Sequence, residues 1–295
     1  MLSIPTDRIG AEVGRHVVAV STRMTTAYAA GIGAVEDLYL DDARPGGVIA
    51  PLPFIVSLEW PVLIAPDYVA AIGRDQLTVY DGLVHGFQDS TFFRPVRPGD
   101  TLGIVGRIAE IRQTRAGALV ACKILTSDAR SGARVCESWF GSLFRRGTLS
   151  GPPATVERPP ALRPEAGLPA GTPVGGIARH RIDIPRHLPH VYTECARIWN
   201  PIHTERSAAL SAGLPDIILH GTCVWAMALQ TIVAGFRPSD ALPLRRFAAR
   251  FSAFVVPGQA LELEYAKQPD GSIGFTVRTA AGALALSAGV AELSR

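Results

Sequence analysis

The sequence predicts an α+β protein built from two copies of one unit, in which a helix is followed by an antiparallel sheet. Three observations lead to this prediction. The two halves of the 295-residue chain align with each other over several blocks. Each half contains an apolar segment of helical length. Each half then ends in runs of alternating apolar and polar residues, which are typical of half-buried strands separated by turns.

The internal repeat is clearest in three blocks. The first pairs Tyr28 with Tyr192, and the last contains a Pro-Gly pair at the same place in both copies. Pro-Gly pairs mark turns, so each pair is predicted to lead into the first long strand of its half. The aligned blocks are residues 28–41 on 192–205, 48–51 on 218–221, and 92–102 on 251–261.

The helical segments follow the second block. In the second half, residues 217–236 are almost long and apolar enough to cross a bilayer. This segment also carries His220, Gln230 and two threonines, which favour a buried central helix over a membrane span. The predicted strands come afterwards, at residues 102–111, 118–125 and 133–145 in the first half and at 261–267, 273–279 and 283–293 in the second.

The two units are predicted to be joined by a proline-rich linker. Residues 148–173 contain seven prolines and few large apolar side chains, which is typical of a semi-extended connection. The predicted domains are therefore residues 1–147 and residues 174–295. His85-Gly86, in the middle part of the first unit, is predicted to lie in a strand at the seam between the units.

Composition narrows the possible functions. A hydrophobic content of 47% with 19% charged residues is enough for a buried core. The net charge of +3 gives no case for nucleic-acid binding. Four scattered cysteines without CxxC spacing argue against a zinc site or a disulfide framework. The first residues lack the apolar core of a signal peptide, so we expect a cytoplasmic protein without a membrane span.

The most informative motif is Asn200-Pro201-Ile202-His203, followed seventeen residues later by His220-Gly221. It resembles the signature of the MaoC-like, (R)-specific enoyl-CoA hydratases, in which Asp-x-Asn-Pro-x-His precedes a His-Gly pair. The repeat and the motif together indicate a double hot-dog fold, in which each sheet wraps around a helix. Ile198 stands at the position of the family's aspartate. In the first half, Tyr39, Glu36 and Pro51 replace His203, Asn200 and Gly221, so that half is the degenerate copy.

The resemblance assigns roles to three residues. His203 is the expected proton-transfer group, because the pKa of imidazole lies near working pH. Asn200 is a favoured N-cap and would hold the loop and a nearby water. Gly221 would open the central helix and offer its backbone N–H to the thioester carbonyl. Residues expected to contact substrate are Ile198, Trp199, His220 and Arg197, although exposed or structural roles are the ordinary interpretation for Arg197 and His220.

The missing aspartate leaves the chemistry open. Another carboxylate could replace it, and Glu194 and Glu205 are the nearest in sequence. Alternatively, His203 acts alone on a substrate whose own group assists, or the site binds without turnover.

The expected reaction is hydration of a 2-enoyl thioester, or the reverse dehydration, on CoA or an acyl carrier protein. No metal or redox cofactor is implied. The alternatives are a non-catalytic acyl-thioester-binding protein, or isomerase, polyketide dehydratase or thioesterase chemistry on the same scaffold. Edge strands of such sheets often pair again, so we expect a homodimer.

Overall fold

A computed structural model describes residues 2–74, 83–162, 174–235 and 242–294. Each half has a strand, then a group of helices and then four long strands, in the same order in both copies, as the repeat predicts. The elements of the first half are β1 (Ser3–Ile4), β2 (Glu12–Ala19), α1 (Thr22–Gly31), α2 (Asp37–Leu40), α3 (Ile55–Leu63), α4 (Pro66–Ala71), β3 (Leu83–Phe92), β4 (Thr101–Thr114), β5 (Gly117–Asp128), β6 (Arg134–Arg145), β7 (Thr148–Leu149) and β8 (Ala154–Thr155). Those of the second half are β9 (Val174–Asp183), α5 (Leu188–Ala196), α6 (Arg206–Ser211), α7 (Gly221–Ala234), β10 (Leu244–Phe251), β11 (Ala260–Lys267), β12 (Ile273–Thr279) and β13 (Leu284–Leu293).

One large sheet runs through both halves. Its strands lie in the order β2-β4-β5-β6-β3-β10-β13-β12-β11-β9, and every neighbouring pair is antiparallel. The two halves join where β3 pairs with β10, with Phe247 opposite Ser90. The long strands begin and end close to the predicted positions, because Pro-Gly and other turn residues fix their ends. His85 lies in β3 at this seam, as predicted.

The central helices differ between the halves. The second half has one uninterrupted helix, α7, whose side chains are mostly buried, as the sequence predicts. The first half has two shorter helices instead, because Pro61 lies in the last turn of α3 and Pro66 starts α4. Proline removes a helical hydrogen bond and disfavours helical backbone in the residue before it, so the segment bends there.

The two copies meet about a local symmetry axis. Helix α1 packs against α5, and the hydroxyl oxygens of Tyr28 and Tyr192 lie 3.4 Å apart. These are the two residues that the repeat alignment pairs. Gly31 lies against Cys195, where an added Cβ would come within 2.7 Å of the cysteine Cβ, so the close approach of the helices requires glycine.

The start of the predicted linker belongs to the first half. β7 pairs with β1, and β8 pairs with β4, so residues 148–155 are not a free connection. Residues 163–173 of the predicted linker lie outside the described residues. No helix in the described ranges combines the length and apolar character needed to cross a bilayer.

Candidate active site

A cavity of about 550 Å³ lies at the seam between the two halves, a size common for small-molecule sites. Its walls come from α3, β3 and β6 of the first half, and from the Asn-Pro-x-His segment, the start of α7 and residues 251–255 of the second. Most lining side chains are apolar. The polar or charged side chains that line it are Glu59, Trp60, His85, Arg145, Asn200, His203, His220, Thr222 and Ser252.

The motif histidine is held by a short, capped turn. Pro201–His203 form a single 3₁₀ turn rather than the start of a longer helix, and Asn200 caps it by accepting a bond from Ile202 N. His203 is buried. Its Nδ1 lies 2.8 Å from the carbonyl oxygen of Ile218. Because a carbonyl oxygen can only accept, Nδ1 carries the hydrogen and Nε2 is left with a free lone pair.

This arrangement makes His203 a base. Burial lowers the pKa of His203 to about 4, although the Ile218 carbonyl favours the protonated ring. The imidazole is therefore neutral near pH 7, with Nε2 available to a molecule in the cavity. Once protonated, it would be a strong acid and would release its proton readily.

The group beside His203 is a second histidine and not a carboxylate. The rings of His203 and His220 stack with centroids 3.6 Å apart. Nε2 of His220 lies 3.1 Å from the Ile198 carbonyl oxygen and 3.2 Å from Thr193 Oγ1, so Nε2 carries the hydrogen. The pKa of His220 is lowered, first by burial and then by His203. Two neutral imidazoles of the motif thus stack on each other, and the position of the family's aspartate contributes the Ile198 carbonyl instead of a carboxylate.

Helix α7 opens directly into the cavity. His220 is its N-cap residue and Gly221 its first residue. Cys223 and Val224 donate to the His220 carbonyl, whereas the N–H groups of Gly221 and Thr222 have no partner among the described residues. These N–H groups lie at the positive end of the helix dipole and suit a developing negative charge. An added Cβ on Gly221 would come within 2.7 Å of the Phe251 ring, so glycine is required by close packing.

Thr222 connects the cavity to the local symmetry axis. The Tyr192 hydroxyl donates to Thr222 Oγ1 over 3.2 Å, and the Tyr28 hydroxyl donates to the Pro53 carbonyl over 2.8 Å. Because Thr222 Oγ1 accepts from Tyr192, its own hydrogen is free to point to a bound molecule. Sequence reasoning did not identify Thr222 as a site residue.

Five of the predicted site residues come together at the cavity, and four do not. The five are His203, Asn200, Gly221, Ile198 and His220. Ile198 contributes an apolar side chain to the wall and its carbonyl to His220.

The other four lie outside because of the turn after α5. Arg197 ends that helix with φ of 57°, which turns Ile198 inward and leaves Arg197 exposed. Trp199 is 56% exposed and donates to Glu194, which is itself on the surface. Glu205 is also exposed. Neither predicted carboxylate substitute therefore lies in the cavity wall, and the structure does not support substrate contact by Trp199 or Arg197.

No first-half residue was predicted to belong to the site, yet titratable side chains of this half line the cavity. Glu59 is buried in α3, His85 is stacked between Phe140 and Phe251, and Arg145 lies at the exposed end of β6. A signal existed for Glu59, which is the single acidic residue in the apolar run 48–64. Burial raises the pKa of Glu59 to about 7, whereas Ser138 and Gln88 lower it.

Each half of the chain matches a dehydratase-type domain model. Residues 192–286 match the family model described as a MaoC-like domain, and residues 7–138 match a FAS1-like dehydratase domain region. Residues 192–286 therefore form a MaoC-like domain. The second-half match begins at Tyr192 and includes the whole motif from Ile198 to Gly221. The MaoC-like domain is therefore the half that retains His203.

Curated relatives carry hydratase and dehydratase names. The chain is 29% identical over 265 residues to 3-hydroxyacyl-thioester dehydratase Y of Mycobacterium tuberculosis, covering 88% of this chain and 86% of the relative. It is 24% identical to a probable enoyl-CoA hydratase 2 of Dictyostelium discoideum, covering 71% and 69%.

Solved structures confirm the fold. A MaoC-like dehydratase from Phytophthora capsici matches with a TM-score of 0.80 at 20% identity, covering 98% of both chains. A conserved hypothetical protein of Mycobacterium tuberculosis with a double hotdog fold matches with a TM-score of 0.59 at 14% identity, covering 96% of this chain and 97% of that one. The predicted double hot-dog architecture is confirmed.

Proposed function

We propose that this MaoC-like protein is an acyl-thioester hydratase/dehydratase, which adds water to a 2-enoyl thioester or removes it from a 3-hydroxyacyl thioester. The observation that carries the proposal is that the free Nε2 of His203 and the unpaired N–H groups at the start of α7 belong to one cavity. The first is a proton acceptor, and the second stabilise negative charge on a carbonyl oxygen. The relatives named above support this reaction class.

In the proposed reaction His203 moves the proton in both directions. Nε2 takes a proton from water while the water oxygen bonds to Cβ. The electron pair of the double bond moves to Cα, and the negative charge on the thioester oxygen is held by the N–H groups of Gly221 and Thr222. Protonated His203 then gives the proton to Cα. The net result is a hydroxyl on Cβ and a hydrogen on Cα, with no metal or redox cofactor taking part.

The stack with His220 supports this single-base scheme. A positive charge on His203 is disfavoured by burial, and the neighbouring ring is already neutral. The imidazolium formed in the first step is thus acidic enough to protonate Cα without help from an aspartate at position 198. Asn200 keeps His203 in place by capping its turn.

An arginine cluster at the cavity mouth suits a phosphorylated carrier. Arg145 lines the mouth with its guanidinium 5.7 Å from the Phe254 ring centroid. Arg146 follows it, and Arg115 precedes Ala116, another mouth residue. All three are exposed, and in the part of the chain that the structure describes none forms an ion pair with a carboxylate. Guanidinium groups bind phosphate through paired hydrogen bonds, as in CoA or phosphopantetheine.

The proposed test is turnover of a panel of 2-enoyl-CoAs, followed by loss of the conjugated double bond. His203→Asn is the decisive variant, because an amide nitrogen can still donate to the Ile218 carbonyl but offers no base. We expect kcat to fall about 10²–10⁴-fold. His187→Ala, which changes an exposed histidine outside the cavity, is the matched control and should keep wild-type rates.

Two results separate the alternatives. Unchanged turnover by His203→Asn would refute the role of His203. Tight binding of acyl-CoAs without any turnover by the wild type would identify a binding protein instead.

The carrier is tested separately by comparing enoyl-CoA with an enoyl-N-acetylcysteamine thioester, which lacks phosphate. Arg145→Gln should raise KM for the CoA substrate alone, and Arg130→Gln, in the turn at the opposite end of β5, should not. The choice between CoA and a carrier protein, the homodimer and the cytoplasmic location remain predictions from the sequence.

A further inference from the structure

A buried group of polar side chains lies at the inner end of the cavity. It consists of Glu59, Gln88, Ser90 and Ser138, and is called here the inner polar cluster. Gln88 Nε2 donates to Glu59 Oε2 over 3.1 Å and lies 3.0 Å from Ser90 Oγ, and the two serine hydroxyls lie 2.8 Å apart. All four residues are at most 1% exposed. A buried carboxylate is costly, so its presence calls for a partner.

The cluster is incomplete without such a partner. Glu59 Oε1 and Gln88 Oε1 are buried acceptors that receive no hydrogen bond, and Trp60 Nε1 is a buried donor without an acceptor. Glu59 and Trp60 both line the cavity. A molecule in the cavity is therefore the natural source of the missing bonds. Extending the repeat alignment from Pro51 and Gly221 places Glu59 at the position of Leu229, so packing in the other half is satisfied by an apolar residue.

The inner polar cluster is remote from the proton-transfer site. Strands β3 and β6 run from the mouth to the cluster: Leu83 pairs with Phe144 near Arg145, and Ser90 pairs with Ser138. The cluster is thus placed to contact the far end of a bound acyl chain rather than the reacting carbons.

The register of β3 gives the depth of the cluster. The His85 ring stacks on Phe251 with centroids 4.2 Å apart, and Phe251 contacts Gly221, so His85 marks the level of the thioester carbonyl. Gln88 lies two ladder steps further along, because a bulge at Gly86 lets His85 pair with Ser142 and Gln88 with Phe140, and two steps correspond to about 7 Å at about 3.3 Å per residue. An extended chain advances about 1.2 Å per bond, so the cluster lies about six bonds from the carbonyl carbon.

We propose that the inner polar cluster recognises a hydroxyl group on the acyl chain, so that the preferred substrates are 2-enoyl or 3-hydroxyacyl thioesters with a second, distal hydroxyl. A hydroxyl both donates and accepts, and can donate to Glu59 Oε1 while accepting from a donor such as Trp60 Nε1. This inference rests on the proposed acyl-thioester function, because the position of the carbonyl sets the depth.

The test compares matched pairs of medium-chain 2-enoyl-CoAs, with and without a hydroxyl on the sixth, seventh or eighth carbon. Wild-type protein should prefer the hydroxylated chain by at least about tenfold in kcat/KM, the value of one hydrogen bond to a charged group. Glu59→Leu, which copies Leu229, should remove or reverse the preference. Glu59→Gln should weaken it, and the exposed carboxylate variant Asp42→Asn should leave it unchanged.

Equilibrium binding of saturated acyl-CoAs, with and without the distal hydroxyl, gives a readout independent of catalysis. If unsubstituted enoyl-CoAs are hydrated but neither assay shows the hydroxyl preference, the inference is wrong and the proposed function stands. If nothing is hydrated but the hydroxylated chain binds at least about tenfold tighter and Glu59→Leu abolishes this, the recognition stands and the function fails. A preference that persists in both Glu59 variants also overturns the inference.

Discussion

Replacing Gly221 with alanine would put a methyl group into the space beside the Phe251 ring. The added Cβ would lie 2.7 Å from Cδ1 and 3.0 Å from Cε1 of that ring. Ordinary contact begins at 3.4 Å, so one group must retreat by about 3.4 − 2.7 = 0.7 Å. The Phe251 ring cannot move freely, because it stacks on His85, which in turn stacks on Phe140. The start of α7 is therefore expected to shift.

The expected effect is mainly on the chemical step. A misplacement of this size, or the loss of one N–H donor to the thioester oxygen, lowers the rate by about 10²-fold. We therefore expect Gly221→Ala to lower kcat on a 2-enoyl-CoA by about 10²-fold, with a smaller change in KM. Overpacking costs about 1–3 kcal/mol of stability, and the better helix propensity of alanine offsets up to about 1 kcal/mol. Thermal unfolding followed by circular dichroism checks this second part.

Gly235→Ala is the matched control. Gly235 follows the last residue of the same helix, has an ordinary φ of −65°, and an added Cβ would come no closer than 3.3 Å to Ile232 O. This variant should keep the wild-type kcat. A Gly221→Ala protein within about threefold of wild-type kcat would contradict the reasoning, because the N–H groups of α7 would then not contact the reacting carbonyl.

Two further predictions concern charge. Because burial lowers the pKa of His203 to about 4, kcat/KM should stay level as pH falls through 6.5 and decline only near pH 4. A fall in kcat/KM near pH 6.5 would contradict the role of His203 as the base. The unfolded chain takes up this proton first, so His203 alone should lower the free energy of unfolding by up to about 3 kcal/mol between pH 6.5 and 4. Asp89→Asn breaks a buried ion pair that Asp89 forms with Arg246 through two hydrogen bonds across the β3–β10 seam. The free energy of unfolding in urea should fall by about 3–5 kcal/mol. A fall below about 1 kcal/mol would show that the seam does not depend on this pair.

Much of the fold was predictable because its signals are local. Turn residues fix the strand ends, and the match of Tyr28 with Tyr192 predicted which residues are equivalent. The structure confirms this pairing by placing the two hydroxyl groups together. The broken central helix of the first half was not predicted, although Pro61 and Pro66 were visible. The apolar composition of the segment favours one continuous helix, whereas these two prolines interrupt it.

The site was predictable only where it lies in one stretch of chain. His203, Asn200, His220 and Gly221 converge because a capped turn and the start of α7 are close in sequence. Glu59 and Arg145 reach the same cavity only through the pairing of β3 with β10, which no local pattern reveals. The proposed carboxylate substitutes, Glu194 and Glu205, were chosen by closeness in sequence and lie on the surface.

The tyrosine contact at the local symmetry axis has a consequence for how such a chain can diverge. In a symmetric pair of identical units, any substitution occurs twice, and a carboxylate at the position of Glu59 would also be buried at the position of Leu229. A duplicated and fused unit has no such coupling. One half can keep a histidine for proton transfer while the other acquires a buried acid. Glutamate at one position and leucine at the equivalent position, as in Glu59 and Leu229, therefore require two units within one chain. This difference lets a single cavity contact both ends of one acyl group.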